Sequence, residues 1–541
     1  MNFMKGVNGL SVKPKQTSSF MHGAIILLVA NILVKVIGAV FKIPLTYILG
    51  EEGMGYFSTA YQVYTWMFII ATAGIPVAIS KMISESHAKN RLNEIRNIHS
   101  VSIRLLSCIG IIGFAVLYFG ADFFANKLLK NPGAALGIKS ISPSMLFVSL
   151  MSAYRGFFQG HQNMLPTALS EVFEALGKLI IGFGAAYILL TKGMEMSAAG
   201  AVFGVSCGGF FGFLVLFVIY KKDMSKMQKI NGICAQSETK SEILKKLIKI
   251  AIPITIGASV FSLTSLIDTA MIMRRLQAGG FAYKEANALW GSYSGYAFPL
   301  FNLPPTLINA ITVSIVPAIA SAYAVGEHKK ASHTTAKSMK ITVLFSLPCA
   351  IGMAMLAKPI LSLVYNNTNA TSTLTILSIA IVFVSLVLVT NAILQATGHE
   401  MVPVINMAIG GIAKVIINYF LVAHNKININ GAPIGTTSCY VIILVLNIIF
   451  IKRKLNVKLP FSELVLKPFV SALSMAVVLY FVSPVFSGMG RLIAAAFPIA
   501  IGATIYLFVL ILTKGINEED INLLPKAQTL TKFCKKLRII R

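Results

Sequence analysis

The chain has 541 residues, of which 56% are hydrophobic and only 12% charged, with a formal net charge of +28. A soluble protein of this length would carry about twice that share of charge, so a soluble enzyme is excluded and a polytopic membrane protein is expected. A basic excess is also a mark of nucleic-acid binding, but the distribution of lysines along the chain argues against that partner.

Residues 1–19 are polar and basic. The first apolar run, 20–49, is too long for a signal-peptide core and reads as a retained first helix. Within it, "NILVKVIGAVFKIPLTYILG" (31–50) carries Lys35 and Lys42. Seven residues is two turns, which places both on one face, about 10.5 Å apart along the axis. Further spans are expected at 56–80, 100–120, 140–158, 165–190 and 198–220, then at 250–273, 288–322, 341–365, 374–396, 401–423 and 432–451, and last at 464–486 and 492–513. The fold class is therefore all-α, with about fourteen membrane helices. Taking alternate joints with their helix ends, one side gathers 33 of the 47 Lys and Arg and the other 9. The remaining five, Lys35, Lys42, Lys178, Lys358 and Lys414, lie within spans. The rich side, with both termini, is expected in the cytoplasm, where it faces anionic lipid.

The inner joint 222–249 reads as a basic linker between two six-helix halves, 20–221 and 250–452, with helices at 464–513 and a basic tail at 514–541 as an appendix. The halves resemble one another. "FFQGHQNMLP" (157–166) answers to "ILQATGHEMVP" (393–403), and "IPVAIS" (75–80) to "VPAIAS" (316–321), at offsets of 236 to 241 residues. An even number of helices per copy inserts both copies in the same direction, a parallel repeat of the kind transporters use. The same offset pairs Lys178 in "GKLII" with Lys414 in "AKVII", each near the bilayer midplane.

A charged side chain at a helix centre costs about 2.5–3.5 kcal/mol on insertion scales, so these lysines must line a wet cavity, pair with acids, or snorkel. Lys358, near a helix end, is expected to snorkel. Glu174 precedes Lys178 by four residues, the favourable order for an intrahelical pair, with Glu171 one turn further. Asp268 is the acid of the seventh helix. Lys35 or Lys42, and Lys414, are left without an obvious local partner, and a surplus of buried cations facing a central cleft is a site for an anion. Gly200, Gly204, Gly208 and Gly212 form a small-residue face for close helix contact. The six cysteines show no metal spacing, and no catalytic or nucleotide-binding motif is present. A transporter without a cofactor is expected rather than an enzyme.

"ILGEEGMGYFSTAYQVY" and "ATAGIPVAIS" (48–80), "YRGFFQGHQNMLPTALSEVFE" (154–174) and "SLTSLIDTAMIMRRL" (262–276) are similar to the stage V sporulation protein B group. That group belongs to the polysaccharide-exporter and lipid II flippase branch of the MOP superfamily. The resemblance implies two six-helix bundles in a V around a central cavity, with two helices beside it. It also implies movement of an undecaprenyl-pyrophosphate-linked sugar, such as lipid II, from the inner to the outer leaflet of a bacterial cell membrane. In the flippases, cations on the first helix face the cavity; Lys35 falls at about such a position and Lys42 close to another. Where they carry an arginine on helix eight, this chain has none in "GSYSGYAFPLFNLPP" (291–305), which shifts anion binding toward Lys178 and Lys414. The resemblance leaves H⁺ or Na⁺ open as a coupling ion, with Asp268, Glu171 and Glu174 as charge-pairing or coupling residues. A monomer is expected. The alternative is a cation-coupled multidrug exporter of the same superfamily, which calls for first-half carboxylates such as Glu171 and Glu174.

Overall fold

The structure, a computed structural model, describes residues 16–89, 91–227, 239–455, 462–513 and 515. Most of the expected basic N-terminal segment, the middle of the linker with Gln236, and the C-terminal tail lie outside the described residues. Among the described residues there is no strand.

In the first half the helices are α1 (Gln16–Thr72), α2 (Gly74–Ala88), α3 (Leu92–Asp122), α4 (Ala135–Ile141), α5 (Ser144–Gly160), α6 (Leu165–Gly177), α7 (Phe183–Leu189) and α8 (Met194–Met227). The second half has α9 (Lys240–Ala278), α10 (Tyr283–Gly291), α11 (Phe298–Phe301), α12 (Leu303–Ala324), α13 (His328–Met355), α14 (Ala357–Tyr365), α15 (Thr371–Ala396), α16 (Met401–Leu421) and α17 (Gly431–Leu455). Two more follow, α18 (Lys467–Phe486) and α19 (Arg491–Leu512). Among the described residues, ten helical stretches are long and apolar enough to cross a membrane, eleven if the bent pair 132–141 and 144–160 counts as one. One of the ten, Val29–His87, contains a break at Gly50, so the set is compatible with the fourteen expected spans.

The breaks have local causes. Gly50 has φ 56°, a left-handed conformation that costs glycine little, and it separates the first pass from the second within α1. Asn302 separates α11 from α12 just before Pro304 and Pro305, which cannot donate to a continuing ladder. The fourth span starts earlier than expected because Pro132 opens a short 3₁₀ turn leading into α4. The linker is narrower than 222–249: α8 runs on to Met227, and Thr239 with Glu242 forms a capping box that starts α9 at Lys240.

Packing then positions the interior. The glycine stripe of α8 lies against the α6–α7 segment, as expected from its spacing. A Cβ on Gly204 would collide with Gly182, and one on Gly208 with the Glu174 carbonyl. That close approach holds the backbone around Glu174 and Lys178, where Lys178–Gly182 forms a π turn between α6 and α7. A second π turn, Ser292–Ala297, joins α10 to α11. The start of α9 belongs by packing to the first half: Ile243, Leu247 and Ala251 are buried in one cluster with Ile79, Ile83, Ile98 and Phe157. Beyond Pro253, α9 packs within the largest core cluster through Leu266, Ile272 and Met273.

Candidate functional site

Four of the predicted site residues line one cavity. Lys42 on α1, Lys178 in the π turn, Asp268 on α9 and Lys414 on α16 border a chamber of about 340 Å³, together with Phe41, Tyr61, Trp290 and Tyr293. A second cavity of about 340 Å³ is bordered by Asn31, Glu171 and Glu174. The two share Gly38, Phe41, Tyr61 and Lys178, so they adjoin along one wall. Lys35 borders neither. It is exposed on α1 and lies between Asn31, Gly38 and Lys42 on one helical stripe, four, three and seven residues away. Lys358, at the start of α14, is exposed as snorkelling requires.

The charges pair differently from the expectation. Glu174 does not take Lys178: its Oε2 accepts from Arg155 Nη2 at 2.9 Å, while Arg155 Nε donates to Ser170 Oγ at 3.1 Å. An exposed intrahelical Glu–Lys pair contributes only about 0.2–0.5 kcal/mol, and the arginine of α5 offers a fixed fork inside the bundle. Lys178 Nζ sits instead over two ring faces, 4.8 Å from the Tyr61 centroid and 5.2 Å from that of Phe41. Lys414, expected to lack a partner, is the paired one. Its Nζ is 2.7 Å from Asp268 Oδ2, and Asn418 Nδ2 donates to Asp268 Oδ1 at 2.6 Å. Lys42 Nζ donates to the Ser294 carbonyl of the second π turn at 3.4 Å. Among the described residues no carboxylate forms an ion pair with Lys42 or Lys178.

The chamber therefore holds one neutralised cation and two whose charge is countered only by ring faces and a carbonyl. Such groups can receive an anion without first releasing a carboxylate. The aromatic wall was not singled out from the sequence, because aromatic residues at helical spacing look the same in any core. Arg155 was legible only as a basic residue at the inner end of the span 140–158, counted with the adjoining joint. Asn418 was legible only as a polar residue one turn beyond Lys414.

The end of the bundle carrying Gly50, expected to face outward, is sealed across the two halves. Asn131 Nδ2 donates to Thr59 Oγ1 at 2.9 Å and to Asn287 Oδ1 at 2.8 Å, and Tyr283 Oη donates to Asn131 Oδ1 at 2.9 Å. Asn287 Nδ2 reaches the Glu52 carbonyl at 2.8 Å. Thr59, Asn131 and Asn287 are fully buried. Beside them, Glu51 Oε1 accepts from Asn367 Nδ2 at 2.7 Å and Asn369 Nδ2 at 2.8 Å. Arg274 and Gln277 of α9 donate to carbonyls of Lys127, Leu128 and Lys130. The chamber is thus closed on this side by hydrogen bonds that any opening must exchange for water.

Comparison with known proteins agrees with this architecture. The chain is 28% identical to the uncharacterized membrane protein YabM of Bacillus subtilis, over 95% of this chain and 96% of that one. It is 26% identical to the lipid II flippase MurJ of the same organism, over 91% and 95%. With stage V sporulation protein B, also of Bacillus subtilis, the identity is 24% over 94% and 98%. A solved structure of the lipid II flippase MurJ in an inward closed conformation superposes with a TM-score of 0.66, at 16% identity, over 90% of this chain and 98% of that one. This is a likeness of fold, with two bundles and helices beside them. The MatE family model matches residues 292–420. The model described as polysaccharide biosynthesis protein matches residues 20–323, more than half of the sequence, and the chain belongs to that family.

Proposed function

We propose that the protein is a flippase that carries a prenyl-pyrophosphate-linked sugar, of the lipid II or polysaccharide-precursor type, across a bacterial cell membrane by alternating access. The observation that carries this reading is the pair Lys42 and Lys178 at one chamber, neither ion-paired to a carboxylate among the described residues. A pyrophosphate cannot cross hydrocarbon alone, whereas its prenyl chain is at home there. A chamber that meets the phosphates with point charges while the tail stays in lipid divides the molecule along that chemical boundary. Lysine, unlike the arginine fork, binds without a fixed bidentate geometry, which favours release after transfer. Lys35, on the same stripe of α1, extends the cationic path toward the N-terminal end of the helix. Lys414 joins the anion site only when it leaves Asp268.

The protein acts as a transporter rather than an enzyme, as a monomer, with both termini in the cytoplasm. The two halves, 20–221 and 250–452, move against one another about the linker. H⁺ or Na⁺ supplies the driving force, with Asp268, Glu171 and Glu174 as the coupling carboxylates. The lysine asymmetry between alternate joints supports the orientation, and full-length similarity to a lipid II flippase supports the substrate class. The multidrug reading is less favoured, since the described part of the first helix brings Lys42 and no acid to the chamber and Glu174 is engaged by Arg155.

The test is transfer in proteoliposomes. Vesicles holding the purified protein should move a fluorescent prenyl-pyrophosphate sugar between leaflets, and leave a lipophilic fluorescent cation where it is. Cation efflux without movement of the lipid would favour the multidrug exporter.

A further inference from the structure

The second cavity presents a charge of the opposite sign to the lysine chamber. Glu171 is half-buried at its wall and makes no ion pair or hydrogen bond among the described residues. Its neighbour Glu174 is already held by Arg155 at 2.9 Å, so Arg155 is engaged and Glu171 is the carboxylate left over. Lys178 borders both cavities and follows Glu171 by seven residues on the same helix. Seven residues set the two positions about 10.5 Å apart along the axis, on the same side of the segment. Asn31 and Thr65 add polar groups to the same wall. The joined space is therefore bipolar, with cations at one end and an unpaired carboxylate at the other.

Resting on the flippase reading above, we infer that the Glu171 cavity is a subsite for a protonated amine on the sugar or peptide part of the head group, while Lys42 and Lys178 hold its phosphates. A head group that carries both charges fills the space without leaving either end unmatched. One that carries phosphate alone leaves the Glu171 carboxylate half-desolvated, offset only by the field of an arginine that Glu174 already holds, which disfavours it. Glu171 is thus a specificity-determining residue and Lys178 the pivot between the two subsites.

The test uses the full chain, purified in lipid nanodiscs, and two ligands: a short-chain prenyl-pyrophosphate glucosamine with its amine free, and the same molecule N-acetylated. The wild type should bind the free amine about tenfold tighter or more, the usual scale for one charge-assisted hydrogen bond. In Glu171→Gln that preference should fall to about one. Glu171→Asp, which keeps the charge on a shorter arm, should retain part of it if the glutamine variant does not fold. Lys178→Gln should weaken both ligands and keep the ratio. A wild-type ratio near one, or a tenfold ratio surviving in Glu171→Gln, overturns the inference and leaves the flippase reading standing. So does an equal loss of both ligands in Glu171→Gln, which would make the carboxylate structural or coupling. Binding of neither ligand by the wild type would overturn the flippase reading and this subsite with it.

Discussion

Lys178 and Lys414 occupy corresponding places in the repeat, yet they make different contacts. Lys414 is held by Asp268 at 2.7 Å with Asn418 behind it, and both partners are largely buried. Removing one member of such a pair strands the other's charge, typically at about 3–5 kcal/mol. Lys414→Gln should therefore lower the amount of folded protein in the membrane, and Asp268→Asn in the same chain should restore much of it. Lys178 lies over Tyr61 and Phe41, with no carboxylate ion-paired to it among the described residues. Lys178→Gln should leave the folded amount near normal and reduce transfer at least tenfold, as read by proteoliposome flux normalised to folded protein. The sequence alone points to the reverse order, because Glu174 is four residues from Lys178 and Asp268 is far from Lys414. Sequence distance misleads here because the deciding contacts, Arg155 to Glu174 and Asp268 to Lys414, are made between helices. Depth and recurrence of the lysines were legible; their partners required the packing.

At the scale of elements, the spacing of small residues carried more information than the charges. Gly200, Gly204, Gly208 and Gly212 mark one face whatever the neighbour, and the neighbour is the α6–α7 segment, which bears Glu171, Glu174 and Lys178. The π turns at 178–182 and 292–297 were not legible: "KLIIG" and "SYSGYA" have ordinary helical composition, and the extra residue is absorbed only when the segment packs. Both turns sit at the chamber, one supplying Lys178 and the other the Ser294 carbonyl. A side chain at Gly204 would have to displace the Gly182 backbone, with no flexible atom to yield. Gly204→Val should destabilise the first half by about 1–3 kcal/mol or more, seen as a lower melting temperature in detergent. Gly184, whose Cβ would meet nothing within 4 Å, is the control, and Gly184→Ala should melt like the wild type.

Across the whole molecule, the repeat and the positive-inside bias fix the order and orientation expected of the helices, and neither fixes which end is closed. Closure lies in single polar residues: the buried Thr59, Asn131 and Asn287, with the half-buried Tyr283, form a network in which each amide finds partners from the opposite half. A network of this kind is stable only while complete, since each lost member leaves another buried group unpaired. Asn131 is the hub, donating twice and accepting from Tyr283. Asn131→Ala strands the buried Asn287 Oδ1 in the closed state and takes one partner from Tyr283, whereas in the open state water satisfies both. The substitution should therefore shift the population toward the state open at the Gly50 end, by the difference in hydrogen bonding between the two. A cysteine at Ser58, which borders the chamber, reports that shift in a chain whose six native cysteines are replaced. In intact cells an impermeant maleimide should label Ser58→Cys slowly in the otherwise unaltered chain and at least severalfold faster when Asn131→Ala is added. Equal rates would mean that the network contributes packing but does not hold the gate. Fast labelling without Asn131→Ala would mean that the resting protein is already open outward, which would reverse the assignment of the sealed side.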